Sequence, residues 1–589
     1  MNLGAIYHRM SEEYCYPLDE EQLIINIKTG YDVDKVFIIY ADPYEAGIMG
    51  GNEHWSGKRE EICFKKRLKN HIWWTTTLRP QYKRCKYYFE LQSGDETIFF
   101  FEDGFYSEEE MNQEGKTLSY FIMPWMNPAD VCRTPSWVND TVWYQIFPER
   151  FCNGDPSTDP ENVLPWQNGK VDFGDYYGGD IRGIRDKIPY LKDLGITGIY
   201  LNPIFEANSN HKYNTRDYKK VDPHFGTNDD LKMLVKEAHE AGIKVMLDAV
   251  FNHTGIDHPM WIDVLEKGQA SEYADWYMIN KWPVEGDNDT RDGRYYSFAF
   301  ARYMPKLNTN NPKVQQYLLD IIGFWIDTFD IDGLRFDVGN EVSHSFLKAI
   351  RYMTSHKKKD FYLLAEIWHD SISWLLGDEY DSVMNYPLTT AIADFWVYKN
   401  RGRDSFEYDI NRCFTMYYSQ VNDVLFNLLD SHDTNRLMEK AGGNIDIFYQ
   451  QLAVLFTMPG SPCIFYGTEV AMEGSYDPDC RRCMPWDEIS AGKKDEEISE
   501  MKKLISLRKN LQSCKSRNFH FPNDVPQQRV ISYIKIGGNE SLQIYLNCEE
   551  EAVKIDVKDF GEVVYSRKWS KTEESAGVLG SNGILILKK

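Results

Sequence analysis

Gly333-Leu334-Arg335-Phe336-Asp337-Val338-Gly339-Asn340-Glu341 reads as a short apolar strand that runs into polar residues at its carboxyl end. Side chains alternate sides along an extended segment, so Arg335 and Asp337 point the same way and share one small space. A guanidinium that close favours the ionised carboxylate and fixes its orientation, and a nucleophilic or electrostatically acting Asp needs both. Taken alone, the pair reads first as a surface ion pair at a strand end. The surrounding pattern decides.

Strand and helix alternate outward from this segment. Upstream expected strands are Val142–Phe147, Ile196–Leu201 and Ile243–Val250; downstream ones are Phe361–Glu366, Ser382–Tyr386, Val424–Asp430 and Pro462–Tyr466. Stretches between them, such as Asp229–Ala241 and Lys313–Phe329, carry apolar residues three and four apart, as amphipathic helices do. Eight strands in βα units predict an α/β fold, a closed (β/α)8 TIM barrel with an inserted subdomain at 254–311 after the third strand.

The flanks read differently. Leu23–Ile27, Val36–Tyr40 and Tyr87–Leu91 are short apolar runs parted by turn signals at Thr29-Gly30 and Ser93-Gly94-Asp95, which predicts an antiparallel β-sandwich over 1–125. Within it, His54-Trp55 and Trp73-Trp74 are either sugar-stacking platforms or packed core. Met126–Trp137, with Pro128 and Pro135, reads as the linker into a catalytic barrel at 126–510. At 511–589 short runs return, among them Val530–Ile534 and, after a turn signal at Asn582-Gly583, Ile584–Leu587. They predict a closing antiparallel β-sandwich.

The chain has 589 residues, which implies about three to four domains. With 66 basic and 90 acidic side chains its net charge is −24, a sign that repels nucleic acid and anionic membrane and leaves a neutral substrate undisturbed. No apolar run is long enough to span a bilayer, and Met1–Met10 has no apolar core or cleavage site. Eleven thinly spread cysteines fit reduced thiols. The expected location is cytoplasmic.

Polar residues fall at the carboxyl ends of the expected strands: Asp248, Asn252 and His253 at the third, Arg335 and Asp337 at the fourth, Glu366 at the fifth, His432 and Asp433 at the seventh. In a parallel barrel those ends open on one face, where Asp337, Glu366 and Asp433 should converge. Carboxylates in one pocket repel, so Asp337 is expected to stay charged beside Arg335 while a second acid holds its proton. One nucleophile and one proton donor are what glycosidic cleavage requires, with retention of configuration when the two lie close.

Asp248–His253, Gly333–Glu341, Ala365–His369 and Leu429–Arg436 resemble, in order and spacing, the four signature regions of the α-amylase superfamily of glycoside hydrolases. Met304-Pro305-Lys306-Leu307-Asn308 looks like the fingerprint of its neopullulanase, cyclomaltodextrinase and maltogenic amylase group, and the module beginning Ala5–Arg9 is similar to the one that precedes their barrel. The resemblance implies Asp337 as nucleophile, Glu366 as general acid/base and Asp433 as the carboxylate that favours the distorted sugar. It implies a subsite lined by His253, Arg335 and His432 with Asp248 behind them, Tyr213 as aromatic floor and His211 beside it. Trp368 would stack on the leaving-group side, and Asp477 with Arg481 would hold the sugar farther toward the nonreducing end.

The loop Asn153-Gly154-Asp155-Pro156-Ser157-Thr158-Asp159 concentrates oxygen donors as a hard cation prefers. The resemblance completes a structural calcium site of Asn153, Asp155, Thr158, Asp159, Gly178 and Asp180. Three positions depart from the family's pattern: Thr158 stands where Asn is frequent, Asn214 where Asp is common, and Gly339 where Ala is usual, the last expected to loosen the backbone. Cys480-Arg481-Arg482-Cys483 has C-x-x-C spacing without the second pair a zinc site needs. The implied activity is retaining hydrolysis of α-1,4-glucosidic bonds in cyclodextrins, pullulan and maltooligosaccharides, with transglycosylation and some α-1,6 cleavage. A homodimer through the N-terminal module accompanies it. An α-glucosidase or oligo-1,6-glucosidase, and a non-catalytic carbohydrate-binding subunit, are the alternatives.

Overall fold

A computed structural model describes residues 1–47, 55–167, 169–286, 289–557 and 561–589; His54 lies outside them. The chain divides into two units, the first made of Met1–Thr134, Asp370–Gly377 and Asn400–Asn422, the second of the remainder.

In the second unit eight short strands form the barrel: β1 Trp143–Ile146, β2 Gly198–Leu201, β3 Lys244–Ala249, β4 Gly333–Phe336, β5 Tyr362–Ala365, β6 Ser382–Val383, β7 Phe426–Asn427 and β8 Ser461–Phe465. All pairs are parallel, in the order β6-β5-β4-β3-β2-β1-β8-β7, and a parallel bridge from Met384 to Phe426 joins the two ends of the path. The strands are buried on both faces, as parallel strands under a helical coat must be. Inside, large side chains fill the lumen, among them Trp143, Tyr200, Met246, Tyr362 and Phe426.

β6 and β7 are only two residues long, much shorter than expected. β6 stops at Val383 because Asn385 caps the helix Tyr386–Val397, its side chain accepting from the Leu388 N–H. β7 stops at Asn427, and the Leu428 carbonyl turns to accept from the Thr389 hydroxyl at 2.6 Å. The helix Asn228–Glu240 opens with a capping box of Thr227 and Asp230, and Pro312–Phe329 opens with Pro at its first position behind an Asn311 cap. The insertion after β3 holds the helix Pro259–Lys267 and single antiparallel bridges, of which His253–Lys306 ties it to the end of β3.

At the end of the second unit, a six-stranded antiparallel sheet packs over a core that includes Val530, Tyr545, Ile555 and Leu585. Asn582-Gly583 makes no hairpin there. Asn582 adopts φ +55° inside the continuous strand Ala576–Lys588, whose two ends pair on one side with different strands, Val553–Asp556 and Glu540–Asn547, and on the other with the single strand Glu562–Lys571.

The first unit is a sandwich of a four-stranded and a six-stranded antiparallel sheet. Gly94, at φ +54°, makes the hairpin between Cys85–Ser93 and Glu96–Phe101. Trp73 and Trp74 are buried, and the Trp74 indole N–H donates to the Thr29 hydroxyl at 2.8 Å; Trp55 is buried against Tyr120. These rings are core, not sugar platforms. The segments 370–377 and 400–422, expected within the barrel, gather with the sandwich instead. The helix Arg403–Cys413 sits against the edge strand Phe64–Arg67, where Arg67 pairs with Glu407 at 3.1 Å and the Asn411 amide donates to the Arg67 carbonyl at 2.9 Å. A covered edge strand cannot recruit another chain.

Candidate active site

β3 and β4 run in register with Asp248 opposite Arg335, so both side chains rise from the same face. Backbone hydrogen bonds continue the ladder past the strand ends: Asp337 N–H donates to the Ala249 carbonyl at 3.2 Å, and Glu366 N–H to the Phe336 carbonyl at 3.0 Å. The acids are thus fixed by strands rather than by free loops.

Arg335 is fully buried. Its Nη1 donates to both Asp248 oxygens at 2.9 and 3.0 Å and to Asp337 Oδ1 at 3.0 Å, while Nη2 lies 2.8 Å from Glu366 Oε2. One positive charge therefore serves three carboxylates. Burial pushes the Asp337 carboxyl well above the usual range; Arg335 opposes that rise, and Glu366, Asp248 and Asp433 add to it. The expectation that Asp337 stays charged beside Arg335 meets a guanidinium divided among three carboxylates, which opposes the rise without cancelling it. Burial likewise raises Asp248 and Asp433, against Arg335 in the first case and against Arg481 and Arg335 in the second.

Tyr200 and Tyr213 hydroxyls donate to Asp248 Oδ2 at 2.7 and 2.9 Å. The Tyr213 oxygen is then left to accept from His432 Nε2 at 2.6 Å, and the Gln145 amide faces His432 Nδ1 at 2.8 Å. This chain defines one tautomer of a neutral imidazole. Burial, with Arg481 and Arg335 nearby, lowers His432 well below its usual value. His432 Nε2 also lies 3.1 Å from Asp433 Oδ2, so it orients the third acid.

These groups surround a cavity of about 540 Å³. Of the residues expected to bind sugar, His211, Tyr213, His253, Trp368, His432, Asp477 and Arg481 line it together with all three acids; Asp248 and Arg335 stand behind its wall. Trp368 is half exposed, stacks on Tyr386 with centroids 3.5 Å apart, and donates to Glu366 Oε1 at 3.1 Å. Glu366 Oε2 accepts from the Val338 N–H at 3.1 Å, so both its oxygens are positioned. Arg481 pairs with Asp477 at 2.9 Å and Asp433 at 3.3 Å. Burial takes His211 down to about 3 and His253 to about 4. His253 is less available than expected: Nε2 donates to the Tyr213 carbonyl at 3.1 Å and Nδ1 faces the Asn252 amide at 3.2 Å.

Phe173, Phe298, Tyr303, Met304, Asn340 and Glu341 also line the cavity, without having been singled out. Asn340 and Glu341 belong to the opening stretch, and Met304 begins the insertion motif. Phe173 and Phe298 lie in irregular segments whose sequence has no period to read; Phe298 stacks on His253 at 5.5 Å. Gly339 leaves no slack: a Cβ there would stand 2.9 Å from the Ala365 Cβ and 3.1 Å from the Tyr380 hydroxyl. Asn214 is buried and accepts from the Ser209 hydroxyl.

At the candidate cation loop the donors divide. The Asn153 amide donates to both Asp159 oxygens at 2.9 and 3.1 Å, its own Oδ1 is buried and has no partner among the described residues, and Gly178, at φ +78°, comes so close that a Cβ would stand 2.1 Å from Asp159 Oδ1. Asn153, Asp159 and the Gly178 backbone fit a hard cation. Asp155 is engaged by Ser157, Asp180 caps the helix Ile181–Asp186 while accepting from the Gly154 and Asp155 amides, and the Thr158 carbonyl accepts from His224. Among the described residues no group of three or more His, Cys, Asp or Glu is arranged to hold a metal. Cys480 and Cys483 are buried free thiols, both pushed up to about 12 by burial.

A parallel barrel whose strand ends gather three acids around one buried guanidinium, beneath a cavity floored by tyrosine, defines a hydrolase of glycosidic type. The model for the α-amylase catalytic domain matches residues 145–518, and that for the α-amylase N-terminal Ig-like domain matches 1–127. The chain belongs to the α-amylase family. It is 42% identical to a cyclomaltodextrinase of Geobacillus thermopakistaniensis (strain MAS1), covering 94% of this chain and 92% of that one. It is also 42% identical to an intracellular maltogenic amylase of Bacillus subtilis (strain 168), over 86% and 84%. A solved cyclomaltodextrinase superposes with a TM-score of 0.90 at 36% identity, covering 100% of both chains.

Proposed function

We propose that the chain cleaves α-1,4-glucosidic bonds in cyclodextrins, maltooligosaccharides and pullulan with retention of configuration, Asp337 being the nucleophile, Glu366 the general acid/base and Asp433 the carboxylate that holds the distorted sugar. The observation that carries this reading is the single guanidinium of Arg335 reaching Asp337 at 3.0 Å and Glu366 at 2.8 Å from neighbouring strands. Two carboxyl groups so held face one small volume, which supports double displacement. The Asp337 oxygen bonds to the anomeric carbon as the bond to the leaving sugar breaks, and the Glu366 proton passes to the leaving oxygen. Water then returns a proton to Glu366 while its oxygen displaces Asp337. A sugar hydroxyl held in place of that water gives transfer instead of hydrolysis.

Asn153, Asp159 and the Gly178 backbone would hold a structural calcium, which when bound ties this loop together; no chemical step passes through it. The N-terminal module serves sugar contact and homodimerisation. A cavity of about 640 Å³ in it supports that role: exposed Tyr44 and Tyr82 flank the Arg84 guanidinium at 4.8 and 5.9 Å. Rings exposed beside polar groups suit a pyranose face, which the buried tryptophans do not. The relative from Bacillus subtilis named intracellular supports a cytoplasmic location.

The test is chromatography of products from β-cyclodextrin, pullulan and soluble starch, with Asp337→Asn as control. Cyclodextrin opening to maltose and glucose, panose from pullulan and little action on starch, all lost in the control, is expected. Glucose alone from short oligosaccharides would favour the glucosidase alternative, and no turnover a binding subunit.

A further inference from the structure

Asp477 belongs to a loop whose two ends are drawn together at Gly474 and Cys480, and Arg481 follows directly after it. Arg436, fully buried at the end of the segment that carries Asp433, holds both ends. Its backbone N–H donates to the Gly474 carbonyl at 2.9 Å, and its Nε donates to the Cys480 carbonyl at 2.7 Å. Nη1 donates to the Tyr466 carbonyl, and the guanidinium lies over the Phe465 and Tyr466 rings, 4.1 and 4.6 Å from their centroids. The neck is closed: a Cβ at Gly474 would stand 2.7 Å from the Asp479 carbonyl oxygen and 3.2 Å from the Arg436 Cγ. Beyond the neck, Asp479 accepts from Ser475 N–H at 2.9 Å and pairs with Arg482 at 2.8 Å, so the loop is stiff once its ends are joined.

We infer that Arg436 is the positioning residue of the Gly474–Cys480 loop, and through it sets Asp477 against the sugar beyond the cleaved one. This rests on the function proposed above. Arg436 does not line the cavity, so its effect falls on affinity for the nonreducing portion of the substrate and not on bond breaking. Its backbone bond to Gly474 survives substitution; its bonds to Cys480 and Tyr466 do not.

The experiment is steady-state kinetics on p-nitrophenyl α-maltoside and maltotriose for the full chain, with Arg436→Lys, Gly474→Ala, Asp477→Ala and the Arg436→Lys/Asp477→Ala double variant, each checked for folding by circular dichroism. Lysine supplies one donor group for carbonyls that the fork reaches together. Gly474→Ala strains the neck without touching a buried charge. Expected is a KM increase of about tenfold with kcat within about twofold for Arg436→Lys and Gly474→Ala, and no further KM increase in the double variant over Asp477→Ala. A fall in kcat at unchanged KM would overturn the inference, because Arg436 would then act on Asp433. Unmoved kinetics in both neck variants, or additive KM losses in the double variant, would overturn it too. Absence of turnover in the unmodified protein would instead defeat the proposed function, and this inference with it.

Discussion

Arg335 carries one positive charge between Asp248, Asp337 and Glu366, and Arg335→Met would leave three buried carboxylates without it. Breaking such a cluster costs about 3–5 kcal/mol, so the variant is expected to unfold well below the unmodified protein in scanning calorimetry as well as to lose activity. Asp337→Asn goes the other way. The folded state raises this carboxyl above its unfolded value, chiefly through burial, so ionising it as pH climbs from the unfolded value toward the folded one removes stability. The asparagine variant escapes that loss. Its unfolding temperature should exceed the parent's by about 1–3 °C at pH 7, a gap that closes near pH 4, while kcat falls by about 10⁴-fold. A variant less stable than the parent at pH 7 would mean that Arg335 outweighs burial.

Lys306 is one of the ties between the insertion and the ends of the barrel strands. Lys306 pairs with Glu341 at 2.8 Å and also donates to Asn252 Oδ1, linking the insertion to the ends of β3 and β4. Glu341 lines the cavity, and Phe298 and Tyr303 in the same insertion form part of its wall. Lys306→Met should therefore loosen an element rather than remove a catalytic group. Hydrogen exchange across 277–307 is expected to quicken by about tenfold, with a comparable fall in kcat/KM and the barrel amides unchanged. Uniform protection would mean that the helix Pro259–Lys267 and the bridges hold the insertion without the lysine.

On the scale of the whole molecule, a bound ion stabilises by mass action, and at a thousandfold excess over Kd the effect is about 4 kcal/mol. Chelation should lower the unfolding temperature by about 5 °C, calcium should restore it, and Asp159→Asn should be insensitive to both, as followed by calorimetry. An equal response in that variant would place the ion elsewhere. Light scattering of the full chain should give about twice the monomer mass, a dimer being the commonest closed assembly. The charge of −24 keeps such particles apart otherwise and suits a neutral glucan, whose approach it neither speeds nor opposes.

What the sequence determined by itself is what local order encodes. Short apolar runs alternating with periods of three to four marked the barrel units, and the polar residues after β3, β4 and β5 were legible as a site because a strand's direction is set within it. Asp337 and Glu366 could be named from that placement alone. Only the tertiary structure decided how Arg335 is shared, since Asp248 reaches it from 87 residues away. It decided that Trp73 and Trp74 are core while Tyr44 and Tyr82 are exposed, because the exposed face of a sandwich depends on which sheet covers the other. It ended β6 at Val383 through a helix cap and sent 400–422 to the sandwich rather than the barrel. It also closed the loop of Asp477 through Arg436, whose guanidinium reaches carbonyls 30 and 44 residues along the chain. Each of these depends on contacts between distant segments, and a carbonyl presented by the backbone leaves no mark on the residue type that carries it.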